Sequence, residues 1–285
     1  MENRAVSREF SLFQRFIEDK CGIFIDADKS YLFESRLAQM LAESSLDSFE
    51  KLYAQISSYE NPEIVDDIID MVTVNETFWF RDRTPWIVLE EVLLPAYVRE
   101  FRGRKRSKVR IWSSACSYGQ EPYSIAMCID NYLERHSIHD ISLRDFEIFA
   151  TDISNTVLQM AETGRYDNIS IQRGLDEAYK SKYFTNEGRI WTIIDKIRGS
   201  VQFEQFNLID NFLHFGSFDI VFLRNVMIYF TDELKRKTLI KLRDAMKPGG
   251  VLFIGSSELL CDHVKDFKME QHNNGIYFRI RSGAE

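Results

Sequence analysis

Cysteine is scarce in this 285-residue sequence, with four residues and no Cys-x-x-Cys pair among them. Paired cysteines are typical of zinc sites and redox motifs, and a dense even set is typical of disulfide-stapled secreted domains. We therefore expect no metal and no disulfide framework. Reduced thiols are usual in the cytosol, and no signal-peptide pattern follows residues 1–4, so the sequence predicts a cytoplasmic location.

Long hydrophobic runs and excess positive charge are also missing. No apolar stretch approaches the roughly 18 residues of a membrane-spanning helix, which argues against membrane insertion. The net charge is −8, with 36 basic and 44 acidic residues, so the chain lacks the basic surface that broad nucleic-acid binding requires. We interpret the short basic run at 102–108 as a solvated linker.

What is present begins with helical periodicity. Over residues 1–72, aromatic and aliphatic residues recur at helical spacing, and Asn61-Pro62-Glu63 is typical of a helix start. This pattern predicts an all-α N-terminal domain, with the aromatic residues in its core.

From residue 109 onward, predicted strands and helices alternate. Alternation of this kind predicts an α/β domain built on a mainly parallel sheet. Residues 165–200 break the alternation and suggest an inserted antiparallel hairpin. The predicted strands are 109–113, 146–151, 201–206, 218–223, 250–256 and 275–281, and the predicted helices are 120–134, 154–163 and 232–246.

The first strand of this domain ends in small residues, and a helix pattern begins after Gly119 with Glu121 in its first turn. A strand, a tight loop and a helix N-terminus form the usual ligand position of open α/β sheets. The glycine fingerprint of dinucleotide sites is missing, which argues against an oxidoreductase. A carboxylate at this position suits a cationic ligand such as an ammonium or a sulfonium. The alternative is an ordinary strand-to-helix turn.

Polar residues also end two other predicted strands. Asp152 stands where an acid accepts hydrogen bonds from ribose hydroxyls, or it caps the next helix, a task that Ser154 can perform instead. Arg224 and Asn225 follow a buried strand, where they are costly unless they pair with a ligand or with each other.

Residues 73–82, here called the lid segment, join the helical and α/β regions and contain the run Phe78-Trp79-Phe80. Neither a helical nor a strand period explains this run. The segment is either an inter-domain hinge in which Arg81 pairs with Asp82, or a lid over a cofactor site.

Five stretches of this sequence, in this order, resemble the CheR family of chemoreceptor glutamate methyltransferases: 75–82, 112–127, 150–153, 218–230 and 247–258. The resemblance covers nearly the whole chain. It implies a Rossmann-like S-adenosylmethionine-dependent methyltransferase domain with a small inserted antiparallel β-subdomain, after an all-α N-terminal domain. The implied domains are 1–72, a lid and linker at 73–108, and 109–285 with the insert at 165–200.

The resemblance further implies the reaction and its partners. S-adenosylmethionine would be the methyl donor and S-adenosylhomocysteine the product, without a metal. The acceptors would be glutamate side chains on the cytoplasmic signalling domain of membrane chemoreceptors, converted to methyl esters during chemotactic adaptation. We expect a monomer that binds no nucleic acid and does not insert into the membrane.

Carried over position by position, the resemblance implies site residues. Asn75, Thr77 and Arg81 contact or cover the cofactor, while Glu121 holds its ammonium and Asp152 its ribose. Asn207 and Leu208 flank the adenine, and Arg224 and Asn225 form the floor near the methionyl end. Arg81 and Tyr229 are the catalytic candidates that place the substrate carboxylate.

Two small departures from the family pattern and two alternatives accompany this interpretation. Trp79 stands where phenylalanine is common, and Gly255-Ser256-Ser257-Glu258 stands where Gly-His-Ser-Glu is common. One alternative is a methyltransferase that acts on a different protein or on a small molecule. The other is a non-catalytic module that binds S-adenosylmethionine and reports it to a partner.

Overall fold

The computed structural model describes residues 8–25, 35, 37–39, 41–42, 48–57, 62–260 and 265–281. Its N-terminal part is helical, as predicted, and the remainder of 1–72 lies outside the described residues. Phe13 and Ile17, one helical turn apart, are buried against Leu52 and Ile68. Three helices of this part have described bounds, α1 Arg8–Cys21, α2 Phe49–Ser57 and α3 Pro62–Val72, and residues 35, 37–39 and 41–42 are also helical.

A mixed sheet forms the centre of the second domain and confirms the predicted α/β class. Within the described ranges it has seven strands in the order β6-β2-β1-β7-β8-β10-β9. The first five pair in parallel, and β10 runs antiparallel to both of its neighbours. The strands are β1 Val109–Ser114, β2 Phe146–Asp152, β6 Val201–Gln205, β7 Phe218–Leu223, β8 Met246–Ile254, β9 Phe267–His272 and β10 Gly275–Ile280.

The strand predictions differ from the structure at one sheet edge and at one strand start. Strand β9 was not predicted, because this edge strand buries few of its side chains and carries little apolar alternation. Strand β8 begins at Met246 rather than at 250, because its pairing with β7 shifts between Phe218 and Ile220. That irregularity accommodates Pro248 and the two following glycines within the strand.

The helices confirm most of the predicted spans. Those linking the domains and covering the main sheet are α4 Thr84–Val88, α5 Leu94–Arg102, α6 Gln120–Arg135, α7 Asn155–Thr163 and α11 Asp232–Asp244, with a π-helical stretch, Leu89–Leu93, between α4 and α5. No helix in the described ranges is long and apolar enough to cross a bilayer.

The insert contains the predicted hairpin and one strand more. β4 Phe184–Glu187 and β5 Ile190–Ile193 pair antiparallel, and β3 Arg165–Asp167 pairs with the other side of β5. With three residues, β3 is too short to give a period in the sequence. The short helices of this region are α8 Asn168–Gln172, α9 Glu177–Tyr183 and α10 Asp195–Arg198.

The basic run at 102–108 is only partly the solvated linker that we predicted. Arg106 pairs with the buried Asp219, and its guanidinium lies 5.0 Å from the centre of the Tyr97 ring. Asp219 also accepts hydrogen bonds from Lys247 and from the backbone of Arg110, both at 2.8 Å. Arg106 therefore binds the linker to the amino-terminal ends of the central strands β1 and β7.

Candidate functional site

One large cavity lies at the carboxyl ends of β1, β2 and β7. Strand β1 has β2 on one side and β7 on the other, so the chain adds strands first to one side of β1 and later to the other side. Such switch points are the usual ligand sites of open α/β sheets. The cavity contains about 980 Å³ of space, including the part open to solvent.

All of the predicted site residues line this cavity. They are Asn75, Thr77, Arg81, Glu121, Asp152, Asn207, Leu208, Arg224, Asn225 and Tyr229. The structure thus brings together side chains that lie up to about 150 positions apart in the sequence, although their individual roles stay predictions.

The loop after β1 is a tight left-handed turn. Ala115, Ser117 and Gly119 have φ values of 55°, 52° and 83°. A Cβ on Gly119 would lie 2.9 Å from the Cβ of Ala161, so glycine is required both for its φ and for space. The turn directs the Ser117 N–H at the carboxylate of Asp152, 2.8 Å away.

Asp152 is buried at the end of β2 and has two backbone partners. One oxygen accepts the N–H of Ser117, and the other accepts the N–H of Ser154 at 3.0 Å. Ser154 caps α7 through a bond from the Val157 N–H, as the sequence analysis allowed. Burial raises the pKa of Asp152, although its backbone hydrogen bonds oppose the shift. A carboxylate oxygen has two lone pairs, so each oxygen retains one acceptor position for a ligand.

Arg224 connects the carboxylate of Glu121 to the lid segment. Its Nη1 lies 2.7 Å from Glu121, and its Nη2 donates to Asp82 at 3.0 Å and to the Arg81 carbonyl at 2.7 Å. Glu121 also accepts a bond from Ser113 Oγ at 2.8 Å. Arg224 was predicted to pair with a ligand or with Asn225. Within the protein it does not pair with Asn225 among the described hydrogen bonds but with Glu121, Asp82 and the Arg81 carbonyl, and its contact with a ligand stays a prediction.

The hinge interpretation of the lid segment required an Arg81–Asp82 ion pair, which the structure does not contain among the described residues. Asp82 binds Arg224 instead, and Arg81 Nη1 donates to the Glu76 carbonyl at 2.9 Å. Arg81 also lies 5.4 Å from the centre of the Phe78 ring. Asn75 and Thr77 of this segment line the cavity, and the lid interpretation stays a prediction.

Trp79 attaches the lid segment to the insert. Its side chain is fully buried, and its ring centre lies 4.8 Å from that of Tyr166 and 5.3 Å from that of Phe184. Its Nε1 donates to the Ser170 carbonyl and its backbone N–H donates to the Arg173 carbonyl, both at 3.1 Å.

Tyr229 follows β7 and is held in part by the N-terminal domain. Its carbonyl accepts the N–H of Phe24 at 2.8 Å. Burial raises the pKa of the Tyr229 hydroxyl, and the charge of Arg81 opposes that shift, which is consistent with the two side chains sharing one cavity.

The sequence analysis missed the wall that the N-terminal domain contributes. Cys21 and Ile23 line the cavity, and the side chain of Asn207 donates to the Lys20 carbonyl at 2.6 Å. No local pattern could have indicated these contacts, because they join α1 to a loop about 180 residues later. Phe206 adds a further apolar surface.

The donor set fits S-adenosylmethionine. Two carboxylates with spare acceptor positions line the cavity, Asp152 at the end of β2 and Glu121 in the first turn of α6, and they suit a ribose and an ammonium. An apolar wall at Phe206 and Leu208 suits a base. The buried Nε of Arg224 has no hydrogen-bond partner, so an acceptor from a ligand would satisfy it. Among the described residues, no group of three or more His, Cys, Asp and Glu residues is arranged to hold a metal ion.

Comparison with known proteins agrees with this architecture. Residues 8–73 match the family described as "CheR methyltransferase, all-alpha domain", and residues 75–276 match "CheR methyltransferase, SAM binding domain". A chemotaxis protein methyltransferase of Pseudomonas putida, Cher2, is 38% identical over 274 residues, which are 96% of this chain and 98% of that protein. One from Vibrio parahaemolyticus is 39% identical over 276 residues, covering 96% and 97%. This chain therefore belongs to the CheR methyltransferase family.

Proposed function

We propose that this protein transfers a methyl group from S-adenosylmethionine to glutamate side chains of chemoreceptor signalling domains and forms glutamyl methyl esters. Family membership supports the coarser part, an S-adenosylmethionine-dependent methyltransferase of chemotaxis. The observation that supports the finer part is that Arg81 and Tyr229 line the same cavity as the carboxylates of Glu121 and Asp152. An arginine and a phenol hydroxyl suit a carboxylate acceptor.

Residues from three segments would hold the ribose, the ammonium and the adenine of the cofactor. Asp152 would accept hydrogen bonds from the ribose hydroxyls and Glu121 from the ammonium, using the acceptor positions that their protein partners leave. Asn207 and Leu208 would flank the adenine. When bound, S-adenosylmethionine supplies a methyl group on a cationic sulfur.

Further residues would complete the cofactor site. Asn75 and Thr77 would cover the ligand from the lid segment, and Asn225 would form the floor beside Arg224. The lid is tied to the cofactor loop directly, because Ser117 Oγ donates to the Asn75 carbonyl at 2.9 Å. Ser117 therefore positions both Asn75 of the lid segment and the carboxylate of Asp152.

The acceptor requires no base. A glutamate side chain has a pKa of about 4.3 and is a carboxylate at neutral pH. Arg81 and Tyr229 would orient that carboxylate, and proximity in a partly dry cavity supplies most of the rate enhancement. The carboxylate anion and the sulfonium cation lose their charges in the transition state. Strong binding of the anionic ground state would therefore slow the reaction, so one arginine and one hydroxyl are enough to orient the carboxylate.

Methyl transfer to purified receptor signalling domains tests this proposal. With isotope-labelled S-adenosylmethionine, we expect label on glutamate side chains that is released by mild base. At a subsaturating cofactor concentration, Asp152→Ala should incorporate less label than the wild type, because it binds the cofactor more weakly. Base-stable label on lysine or arginine would contradict the glutamate assignment. Tight S-adenosylhomocysteine binding without methyl transfer to any receptor domain would favour the non-catalytic module instead.

A further inference from the structure

A buried carboxylate just outside the cavity joins the ends of two neighbouring strands. Glu258 is 7% exposed and is not among the residues that line the cavity. Its Oε2 accepts the backbone N–H of Gly255 at 2.6 Å and of Asn225 at 2.8 Å, and its Oε1 accepts the N–H of Ile228 at 3.3 Å. Among the described residues no basic side chain forms an ion pair with Glu258, and all three of its hydrogen bonds come from backbone N–H groups.

These three donors lie where the strand ladder has ended. Leu223 and Ile254 form the last pair of β7 and β8, and Asn225 then adopts a left-handed conformation with φ 59°. Buried N–H groups require an acceptor, and beyond the ladder Glu258 supplies it. Bonds from N–H groups to an ionised carboxylate are about twice as strong as neutral ones, so one side chain fixes both strand ends.

Gly255 leaves the space that this arrangement needs. A Cβ at this position would lie 2.7 Å from Nδ2 of Asn225 and 2.8 Å from Oε2 of Glu258. Both distances are shorter than real Cβ contacts, so any larger residue would displace the amide, the carboxylate or both. The sequence stretch Gly255 to Glu258 therefore acts as one unit with the turn over residues 225–229.

That turn begins and ends with side chains that line the cavity, Asn225 and Tyr229. Glu258 bonds its first N–H and the N–H immediately before Tyr229, while Phe24 bonds the Tyr229 carbonyl. We infer that Glu258 is a positioning residue that sets the direction of the Tyr229 hydroxyl towards the methyl-accepting carboxylate. This inference rests on the proposed function, because it assigns the turn to that reaction.

Glu258→Gln tests the inference, because glutamine has a single oxygen. If the oxygen remains with Gly255 and Asn225, the NH2 group faces the Ile228 N–H and pushes that end of the turn away. We expect kcat to fall by about tenfold or more, as for one lost charge-assisted hydrogen bond, while KM for the receptor domain changes by less than about threefold.

Asp145→Asn is the matched control. Its carboxylate also accepts a backbone N–H, that of Ser142 at 2.8 Å, but it lies at the opposite edge of the sheet, where β2 begins. This variant should retain wild-type kcat.

A double-mutant cycle separates positioning from a general structural effect. If Glu258 acts through the Tyr229 hydroxyl, then Glu258→Gln in a Tyr229→Phe background should lower kcat by less than about twofold further. A full tenfold loss in both backgrounds would overturn the inference, because the two residues would then act independently.

Amide hydrogen exchange gives a readout that needs no substrate. In Glu258→Gln, exchange at residues 225, 228 and 255 should be faster than in the wild type, and Asp145→Asn should leave it unchanged. Unchanged exchange overturns the role of Glu258, whereas a wild-type protein that methylates no receptor domain rejects only the proposed function. Should Glu258→Gln fail to fold, Glu258→Asp shortens the side chain by one methylene so that it cannot reach all three N–H groups, and normal kcat in that variant overturns the inference.

Discussion

At the residue scale, Arg81 and Tyr229 enter the cavity from two segments that the fold brings together, the lid and the turn after β7. Arg81→Ala and Tyr229→Phe should lower kcat and kcat/KM equally, by about ten- to a hundredfold, because each would remove an interaction used mainly in the transition state. Steady-state kinetics measure the loss of turnover, and titration with S-adenosylhomocysteine measures the effect on cofactor binding, which should be smaller.

Matched controls are available for both variants. Arg173 stacks on the same Phe78 ring at 5.6 Å but does not line the cavity, and Tyr53 packs in the N-terminal domain. Arg173→Ala and Tyr53→Phe should leave kcat within about twofold of wild type. Near-normal turnover of both cavity variants would mean that the backbone and Asn225 orient the acceptor.

Asp152 gives a prediction about pH. Its raised pKa means that the carboxyl takes up a proton at a higher pH than an ordinary aspartate, whose pKa is about 3.9. Protonation removes the charge and an acceptor position, so S-adenosylhomocysteine affinity should fall as pH is lowered towards that raised pKa. Calorimetry across the acid range should show this decline in the wild type. Asp152→Ala should bind S-adenosylhomocysteine about 1–3 kcal/mol more weakly at neutral pH. The affinity of this variant should depend much less on pH over the acid range.

At the element scale, Trp79 determines how firmly the lid segment is attached to the insert. Trp79→Ala should lower the free energy of unfolding by about 3–5 kcal/mol, because it removes a fully buried ring and leaves a cavity between Tyr166 and Phe184. Denaturant titration measures the loss. Trp191→Ala, which removes a partly exposed ring from the same insert, should cost clearly less, and equal losses would contradict this account.

The sequence predicted those elements that carry a local signal. The buried strands β1 and β7 and the capped helices α7 and α11 have periodic patterns and start signals, and the structure has them. β9 and β3 lack such patterns. Strand β8 starts before the predicted residue 250, because the pairing irregularity at its Pro-Gly-Gly stretch is set by β7.

The contacts within the candidate site were likewise not predictable from local sequence patterns. The resemblance to the CheR family implied which residues belong to the site, but the partners of Arg224 and Glu258 could not be predicted. Arg224 reaches Glu121 across 103 positions and Asp82 across 142. These contacts depend on which strand ends become neighbours in the sheet, and no spacing within one segment encodes that order.

At the scale of the whole molecule, the cavity is a joint product of both domains. Cys21 and Ile23 belong to the N-terminal part, while the opposite walls come from the lid segment and the sheet. A ligand there should stabilise the protein as one unit, by about 2.7 kcal/mol at a concentration a hundred times its Kd. Calorimetric melting with S-adenosylhomocysteine should show one transition that moves to higher temperature. Two transitions, only one of which moves, would argue against a shared cavity, and Asp152→Ala should reduce the shift.

The anchoring of Trp79 also has a thermodynamic consequence for ligand binding. Since the lid segment is already packed and hydrogen-bonded to the insert, little chain remains to be ordered when the cofactor arrives. Segments that fold on binding bury about 1,000–3,000 Å² and show a correspondingly large negative heat-capacity change. Here the heat-capacity change on S-adenosylhomocysteine binding should correspond only to the surface of the ligand and the walls it touches. Loosening the anchor with Trp79→Ala should make that change more negative, because part of the lid would then order together with the ligand.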